Sequence, residues 1–78
     1  MARSYQDIML NALRKENVQA TIYLISGFHM RGTVRAFDNY VIVLESEGRQ
    51  QMIYKHAVST ITPVRPLPEV TALDNEDS

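Results

Sequence analysis

The sequence predicts a mainly β domain in which one N-terminal α-helix precedes five short strands of a strongly bent antiparallel sheet or small barrel. Apolar residues first recur at helical spacing and then, from Val18, at the two-residue spacing of strands. A glycine within the second strand favours a bulge or a sharp bend, as in sheets that curl into barrels. Residues 18–62 leave no room for the helical crossovers that parallel strands require, so the sheet is expected to be antiparallel.

The helix is predicted over residues 5–16. Ser4 is a suitable N-cap, and Asp7 stands at the third helical position, where a capping-box partner would lie. Asn17 favours the left-handed conformation in which helices end. The predicted apolar stripe consists of Tyr5, Ile8, Met9, Ala12 and Leu13.

The strands follow one another without repeats. In the first strand, Val18, Ala20, Ile22 and Leu24 are expected to share the buried face. Gly32 is the expected bend of the second strand, and the third is apolar enough to be a central strand covered on both faces. The predicted strand bounds are residues 18–25, 28–37, 40–44, 50–54 and 58–62, with residues 45–49 as the connection before the fourth strand.

Length and composition indicate one domain without covalent or metal cross-links. With 78 residues and no cysteine, the chain forms neither disulfides nor a thiolate metal site, and its two histidines stand far apart. Small domains of this kind usually need oligomerisation to complete a thin core. No apolar run approaches the roughly 20 residues that span a bilayer, and no signal-peptide pattern opens the chain. We therefore expect a cytoplasmic protein without membrane association.

The charges divide the chain into a basic body and an acidic end. Residues 1–66 carry all eight Lys and Arg against five Asp and Glu, a net charge of +3, whereas residues 67–78 carry −4. Prolines at 63, 66 and 68 stop regular structure at this boundary. The sequence thus predicts a domain over residues 1–66 and a short, disordered acidic tail over residues 67–78.

Catalysis is not predicted, because no motif positions a nucleophile and neither a phosphate-binding glycine loop nor a metal-ligand cluster is present. We expect no cofactor and no metal. The chemistry concentrates instead in Tyr54-Lys55-His56, which joins a stacking ring, a cation and an imidazole between two strands. These groups suit a base face, a phosphate and a ribose hydroxyl or base edge.

Several motifs in a fixed order carry a resemblance to a known family. They are Gln6-Asp7 with Leu10-Asn11, Ile22-Tyr23-Leu24 with Gly27, Arg31-Gly32, Phe37-Asp38-Asn39-Tyr40, and Tyr54-Lys55-His56-Ala57 with Ser59-Thr60. Over residues 5–66 the chain resembles the Hfq family of bacterial RNA chaperones, within the Sm/Lsm superfamily. The resemblance implies an Sm-like fold, with six copies closed into a homohexameric ring through their edge strands.

The resemblance further implies that one face of the ring, the proximal face, holds uridine-rich ends of RNA. Tyr40 would stack on uracil, Asn39 and Lys55 would bond its carbonyl oxygens, and His56 would meet ribose or phosphate. A core role for the Tyr40 ring and an ordinary turn position for His56 are the alternatives. The matching positions are Gln6, Asn39, Tyr40, Tyr54, Lys55 and His56.

The opposite, distal face is implied to bind adenine-rich or purine-rich RNA. Glycine lets a base approach the backbone, and aromatic and methionine side chains supply the walls. Packing within the barrel is the alternative for Met30, and a solvated strand position is the alternative for His29. The matching positions are Tyr23, Gly27, Phe28, His29, Met30, Arg31, Gln51 and Thr60.

A third surface, a basic rim on the helix, is implied to help RNAs anneal; its matching positions are Asn11, Arg14, Lys15 and Phe37. A merely solvated helix face is the alternative. The implied partners are small regulatory RNAs, messenger RNAs and RNA-processing proteins, and the implied role is post-transcriptional regulation through RNA pairing. The competing function is an Sm-like or SH3-like barrel that serves mainly as a protein-interaction scaffold. RNA binding separates the two functions, whereas oligomeric state does not.

Overall fold

The computed structural model describes residues 4–68 and confirms one helix followed by a five-stranded antiparallel sheet. The strands lie in the order β4-β3-β2-β1-β5, so β4 and β5 form the edges. The predicted disordered tail lies outside the described residues except for positions 67 and 68, and so do all four of its acidic residues. The elements are α1 (Tyr5–Glu16), β1 (Gln19–Leu24), β2 (His29–Phe37), β3 (Val41–Ser46), β4 (Arg49–Tyr54), a 3₁₀ turn (Lys55–Ala57) and β5 (Val58–Pro63).

The helix begins and ends as predicted, but its buried face differs. Ser4 Oγ accepts a hydrogen bond from the Asp7 N–H at 3.1 Å, and Asn17 ends the helix with φ 58°. The Asp7 carboxylate binds Lys55 instead of completing a capping box. Leu10 is fully buried beside Ala12 and Leu13, whereas Tyr5, predicted in the stripe, is 49% exposed. The predicted stripe was therefore wrong at Tyr5, and it omitted Leu10.

One core joins the helix to the inner face of the sheet. The alternation of β1 is confirmed, since Val18, Ala20 and Ile22 are buried and Gln19 and Tyr23 are exposed. Each fully buried aliphatic side chain stabilises the fold by roughly 1.5–3 kcal/mol. The remaining buried residues of this core are Leu10, Ala12, Leu13, Val34, Ile42, Leu44, Ile53 and Leu67.

The burial of Leu67 corrects the predicted domain boundary. Its side chain is 3% exposed and belongs to the core cluster. The sequence assigned it to a disordered tail because the surrounding prolines exclude regular structure. Proline excludes a helix or a strand but not the burial of a neighbouring side chain, so the ordered body extends at least to residue 67.

The third strand and its connection also differ from prediction. The central position belongs to β2, and within one chain Val41 and Val43 of β3 are only half-buried while Ile42 and Leu44 are buried. The five-residue connection is in fact a two-residue turn with positive φ at Glu47 (53°) and Gly48 (81°). Positive φ at both positions matches the twist of a tight hairpin, which lets β3 and β4 pair up to the turn.

Gly32 bends the sheet by close approach rather than by a bulge. It pairs with Ala20 in regular register, and the irregularity between β2 and β3 lies further on, between Val34 and Ala36. A Cβ atom built at Gly32 would collide with the carbonyl oxygen of Glu45. The missing side chain therefore lets β3 fold closely over β2, which curls the sheet.

Candidate nucleic-acid interface

A surface cavity brings together five of the six residues predicted for uridine. This cavity, called the Lys55 cavity, has a volume of about 380 Å³. The start of the helix, the connection between β2 and β3 and the 3₁₀ turn all contribute to it, although they are far apart in the chain. Its lining residues are Ser4, Gln6, Asp7, Asn39, Tyr40, Lys55 and His56. Tyr54 does not line the cavity, and the sequence did not single out Ser4 or Asp7 for it.

Lys55 is held in a defined position by two other side chains. Its ammonium nitrogen lies 2.5 Å from Asp7 Oδ1 and 5.2 Å from the centroid of the Phe37 ring. The Lys55 side chain is only 11% exposed. An ammonium group has three N–H donors, so the pairing with Asp7 leaves donors for a ligand while compensating much of the charge. This arrangement suits a neutral carbonyl oxygen better than a phosphate.

The backbone around Asp38 presents the Tyr40 ring to solvent. Asp38 Oδ1 accepts hydrogen bonds from the N–H groups of Tyr40 at 2.7 Å and Val41 at 2.9 Å. The Tyr40 carbonyl in turn accepts from the Lys55 N–H at 2.8 Å. Tyr40 lies just before β3 and is 74% exposed, which excludes the core role considered for it. Its ring is available for stacking.

The carboxyl group of Asp38 is more acidic in the folded chain than an ordinary aspartate. The hydrogen bond from the Tyr40 N–H, then that from the Val41 N–H, and the nearby charge of Lys55 lower the pKa of this carboxyl below its ordinary value of 3.8. Its ionised form therefore stabilises the turn that positions Tyr40.

Tyr54 contributes through His56. The two rings stack with centroids 5.8 Å apart and an interplanar angle of 27°. His56 is exposed within the 3₁₀ turn and lines the Lys55 cavity. Tyr54 thus limits the orientations of the imidazole. Because the contact is between ring faces, the ring nitrogens of His56 can still bind a polar ligand.

A second region consists of two adjoining cavities that share the side chains of Met30 and Arg31. The Tyr23 cavity, of about 330 Å³, is lined by Thr21, Tyr23, His29, Met30 and Arg31. The Arg49 cavity, of about 410 Å³, is lined by Met30, Arg31, Ser46, Glu47, Arg49 and Gln51. Neither shares a residue with the Lys55 cavity. The predicted distal residues Tyr23, His29, Met30, Arg31 and Gln51 are therefore brought together.

Two of these residues, Met30 and His29, also pack against other side chains. Met30 packs against the core, so its alternative of barrel packing is confirmed, although it also lines both cavities. His29 is exposed, with its ring centroid 5.3 Å from that of Tyr23. The Tyr23 cavity consequently has two rings and a thioether in its walls, as a base-stacking site requires.

The other three predicted distal residues lie outside these two cavities. Gly27 (φ 96°) and the 63% exposed Phe28 belong to the turn between β1 and β2. Thr60 pairs with Tyr23 across β1 and β5 but lines a third cavity of about 240 Å³, beside the first turns of the helix. That cavity is lined by Tyr5, Gln6, Met9, Val58, Ser59, Thr60 and Ile61.

The structure brings together only some of the residues predicted for the basic rim. Arg14 and Lys15 are exposed, and Arg14 Nη2 donates to Asn11 Oδ1 at 2.7 Å. Phe37 instead packs against the core and beneath the ammonium of Lys55. The described helix end thus offers two adjacent cations, while the aromatic residue of the predicted rim serves the Lys55 cavity.

Residues 4–68 show neither a membrane-spanning helix nor a metal-binding cluster. No helix in this range is long and apolar enough to cross a membrane. The same range contains no group of three His, Cys, Asp or Glu side chains that could hold a metal ion.

Comparison with known proteins gives concordant matches in sequence and structure. The family profile described as Hfq protein matches residues 5–68. The RNA-binding protein Hfq of Alkaliphilus metalliredigens is 61% identical over 62 residues, covering 80% of this chain and 78% of the relative. That of Brevibacillus brevis is 55% identical over 71 residues, covering 91% and 90%.

Two solved structures share the fold. A crystal structure of the pleiotropic translational regulator Hfq superposes with a TM-score of 0.72 at 39% identity, covering 76% of this chain and 98% of the other. An Hfq protein from Anabaena sp. superposes with a TM-score of 0.69 at 28% identity, covering 77% and 98%.

Proposed function

The chain belongs to the Hfq family, and from this premise we propose that it is an RNA-binding chaperone that promotes pairing of small RNAs with messenger RNAs. In the proposal, the proximal face holds uridine-rich RNA ends and the distal face holds adenine-rich or purine-rich RNA. The protein would act in the cytoplasm, where both RNA classes occur. The family consists of RNA-binding proteins and not of enzymes.

The observation that carries the proximal assignment is the composition of the Lys55 cavity. A uracil can stack on the exposed Tyr40 ring while the Lys55 ammonium and the Asn39 amide donate to its two carbonyl oxygens. Asp7 limits the movement of Lys55, so that less entropy is lost when the ammonium binds the base. His56 lies at the same cavity and would bind ribose or phosphate.

The distal assignment is supported by the Tyr23 cavity. A purine can stack on the exposed side of the Tyr23 and His29 ring pair, and its larger face gains more from stacking than that of a pyrimidine does. Gln51 supplies an amide that can both donate to and accept from an adenine edge. The two RNA sites share no lining residue, so one protein can hold two RNAs at once and raise their local concentration.

We propose that the edge strands close a ring of six chains. Both β4 and β5 are edges of the described sheet, and unpaired edges invite strand addition. Met52 of β4 is 66% exposed and Tyr54 is 59% exposed, which is unusual on a strand that faces only solvent. In the proposed ring, the C-terminal ends of the helices face outward. Arg14 and Lys15 would then form the rim that assists annealing.

The test is a fluorescence-anisotropy titration of a short 3′-hydroxyl oligouridine at fixed salt, comparing the wild type with Tyr40→Ala. Loss of one stacking side chain should weaken binding by roughly 1–3 kcal/mol, about 5- to 150-fold. Tyr23→Ala is the matched control, because it removes an exposed aromatic ring from the other region and should leave oligouridine binding unchanged. Light scattering on the same samples should give the mass of six chains for all three proteins.

Two outcomes would contradict the proposal. If the folded wild type did not bind oligouridine, the protein-interaction scaffold would become the preferred function. If Tyr40→Ala bound as tightly as the wild type while Tyr23→Ala did not, the uridine site would have been assigned to the wrong face.

A further inference from the structure

The cations of the described chain fall into two groups. Lys55 is paired with Asp7 at 2.5 Å, Arg65 with Glu16 at 3.8 Å, and Arg35 with Glu45. Between residues 4 and 68 the other cations have no carboxylate partner; these are Arg14, Lys15, Arg31 and Arg49. Uncompensated cations are the ones that can attract a phosphate without first breaking an ion pair.

Two of these uncompensated cations line one cavity. Arg31, from the start of β2, and Arg49, from the start of β4, both contribute to the Arg49 cavity. Arg31 Nε lies 3.4 Å from Thr21 Oγ1, which ties its guanidinium to β1. Arg49 pairs with Ser46 across the two-residue turn, so its backbone is held by the hairpin. The two guanidinium groups therefore come from positions on the sheet and not from a long loop.

The Arg49 cavity adjoins the proposed adenine site. Met30 and Arg31 line both it and the Tyr23 cavity. A nucleotide whose base stacks against Tyr23 must direct its sugar-phosphate chain away from the rings, and the neighbouring cavity offers two uncompensated cations. Guanidinium groups bind phosphate oxygens through two parallel hydrogen bonds.

We propose that the Arg49 cavity is a phosphodiester site for RNA whose base occupies the Tyr23 cavity, with Arg49 as a phosphate-binding residue. The proposal rests on the proposed distal function and adds to it a residue that the sequence did not single out. Glu47 also lines the cavity and has no ion-pair partner in the described range. Its negative charge weakens phosphate binding at this site and favours RNA that is also held by its bases.

The experiment titrates a short oligoadenylate by fluorescence anisotropy at several salt concentrations. Arg49→Gln should weaken binding roughly tenfold, the effect of removing one charged hydrogen bond. The slope of log K against log salt should fall in magnitude by about 0.7 for each phosphate that the variant no longer binds. Glu47→Gln should change affinity in the opposite direction.

Three controls separate phosphate binding by Arg49 from other causes. Arg65→Gln makes the same charge change at an exposed arginine that lines neither the Lys55, the Tyr23 nor the Arg49 cavity, and it should leave the affinity within about twofold, since distant exposed charges are screened. An oligoadenylate with a neutral methylphosphonate backbone should bind wild type and Arg49→Gln equally. Oligouridine, held on the other face, should also bind both proteins equally.

The contradicting outcomes are distinct from those of the proposed function. If the wild type bound oligoadenylate and Arg49→Gln bound it equally well, the phosphodiester site would be wrong and the distal function would stand. An equal loss of affinity in Arg65→Gln, or a loss that persisted with the neutral backbone, would also overturn the site. If the wild type bound oligouridine but no oligoadenylate, the distal function and this site would both be wrong.

Discussion

Single residues in the Lys55 cavity acquire their roles from partners that are distant in the chain. Lys55 is held by Asp7, at a sequence separation of 48 residues, and lies over the Phe37 ring. Asp38 directs Tyr40 outward through two backbone hydrogen bonds. The two carboxylates of this small site thus have different roles. Asp7 pairs with Lys55, and Asp38 holds the turn that positions Tyr40.

The ionised carboxylate of Asp38 should make the free energy of unfolding depend on pH in the acid range. Its pKa is lowered in the folded chain, so its stabilisation is present above its ordinary value of 3.8 and is lost as the pH falls through the folded-state pKa. Asp38→Asn keeps an acceptor oxygen but cannot be ionised. The free energy of unfolding of Asp38→Asn should therefore fall less than that of the wild type between neutral and acid pH.

Urea denaturation at about pH 7 and about pH 3, at one protein concentration because assembly contributes to stability, measures this difference. Asp38→Ala, which removes the acceptor as well, should be less stable than Asp38→Asn at both pH values. An equal decrease in stability at acid pH for the wild type and Asp38→Asn would show that the ionised carboxylate does not stabilise the turn.

The strands position the sites through their ends and their separations. The tight turn at Glu47 and Gly48 places the start of β4 against the end of β3, and residues of this hairpin end line the Arg49 cavity together with Met30 and Arg31 of β2. Gly32 allows β3 to approach β2 closely. A change in either feature would move the lining residues of the distal cavities relative to one another.

Gly32→Ala should destabilise the sheet. Its methyl group would meet the backbone of Glu45, which cannot rotate away as a side chain can, and overpacking of this kind costs roughly 1–3 kcal/mol. Gly48→Asn is the comparison, because space around Gly48 is open and asparagine is among the residues that adopt a positive φ at the lowest cost. Thermal and urea unfolding should show a clear decrease in stability for Gly32→Ala and a smaller decrease for Gly48→Asn. Similar stabilities would mean that Gly32 is not what permits the close approach.

At the scale of the whole molecule, the core includes a residue beyond the last strand. Leu67 is buried among residues of the helix and the sheet, although it follows Pro66. The edge strands and the half-buried outer face of β3 leave apolar surface that a ring of chains would cover. The stability of one chain and the closure of the proposed ring are therefore linked.

Ending the chain at residue 66 should destabilise the domain relative to ending it at residue 68. Loss of a buried leucine side chain costs roughly 2–5 kcal/mol, and Leu67→Ala in the full chain should reproduce most of that loss. Val64→Ala should change stability by no more than about 0.5 kcal/mol, because Val64 is 55% exposed. Urea denaturation at one protein concentration compares these four variants with the wild type. Equal stability of the two shortened chains would return the domain boundary to residue 66.

The sequence by itself determined the helix with its caps, the five antiparallel strands and the family. Caps and periodicity depend on residues a few positions apart, and the family motifs are read from residue order, so neither needs the folded shape. Only the tertiary structure decided that Asp7 holds Lys55, that Arg49 joins Arg31 and that Leu67 is buried. These contacts join residues far apart in the chain, and they depend on how sharply the sheet bends and where its edges lie. No local pattern encodes that curvature, because it results from the packing of all the strands and the helix together.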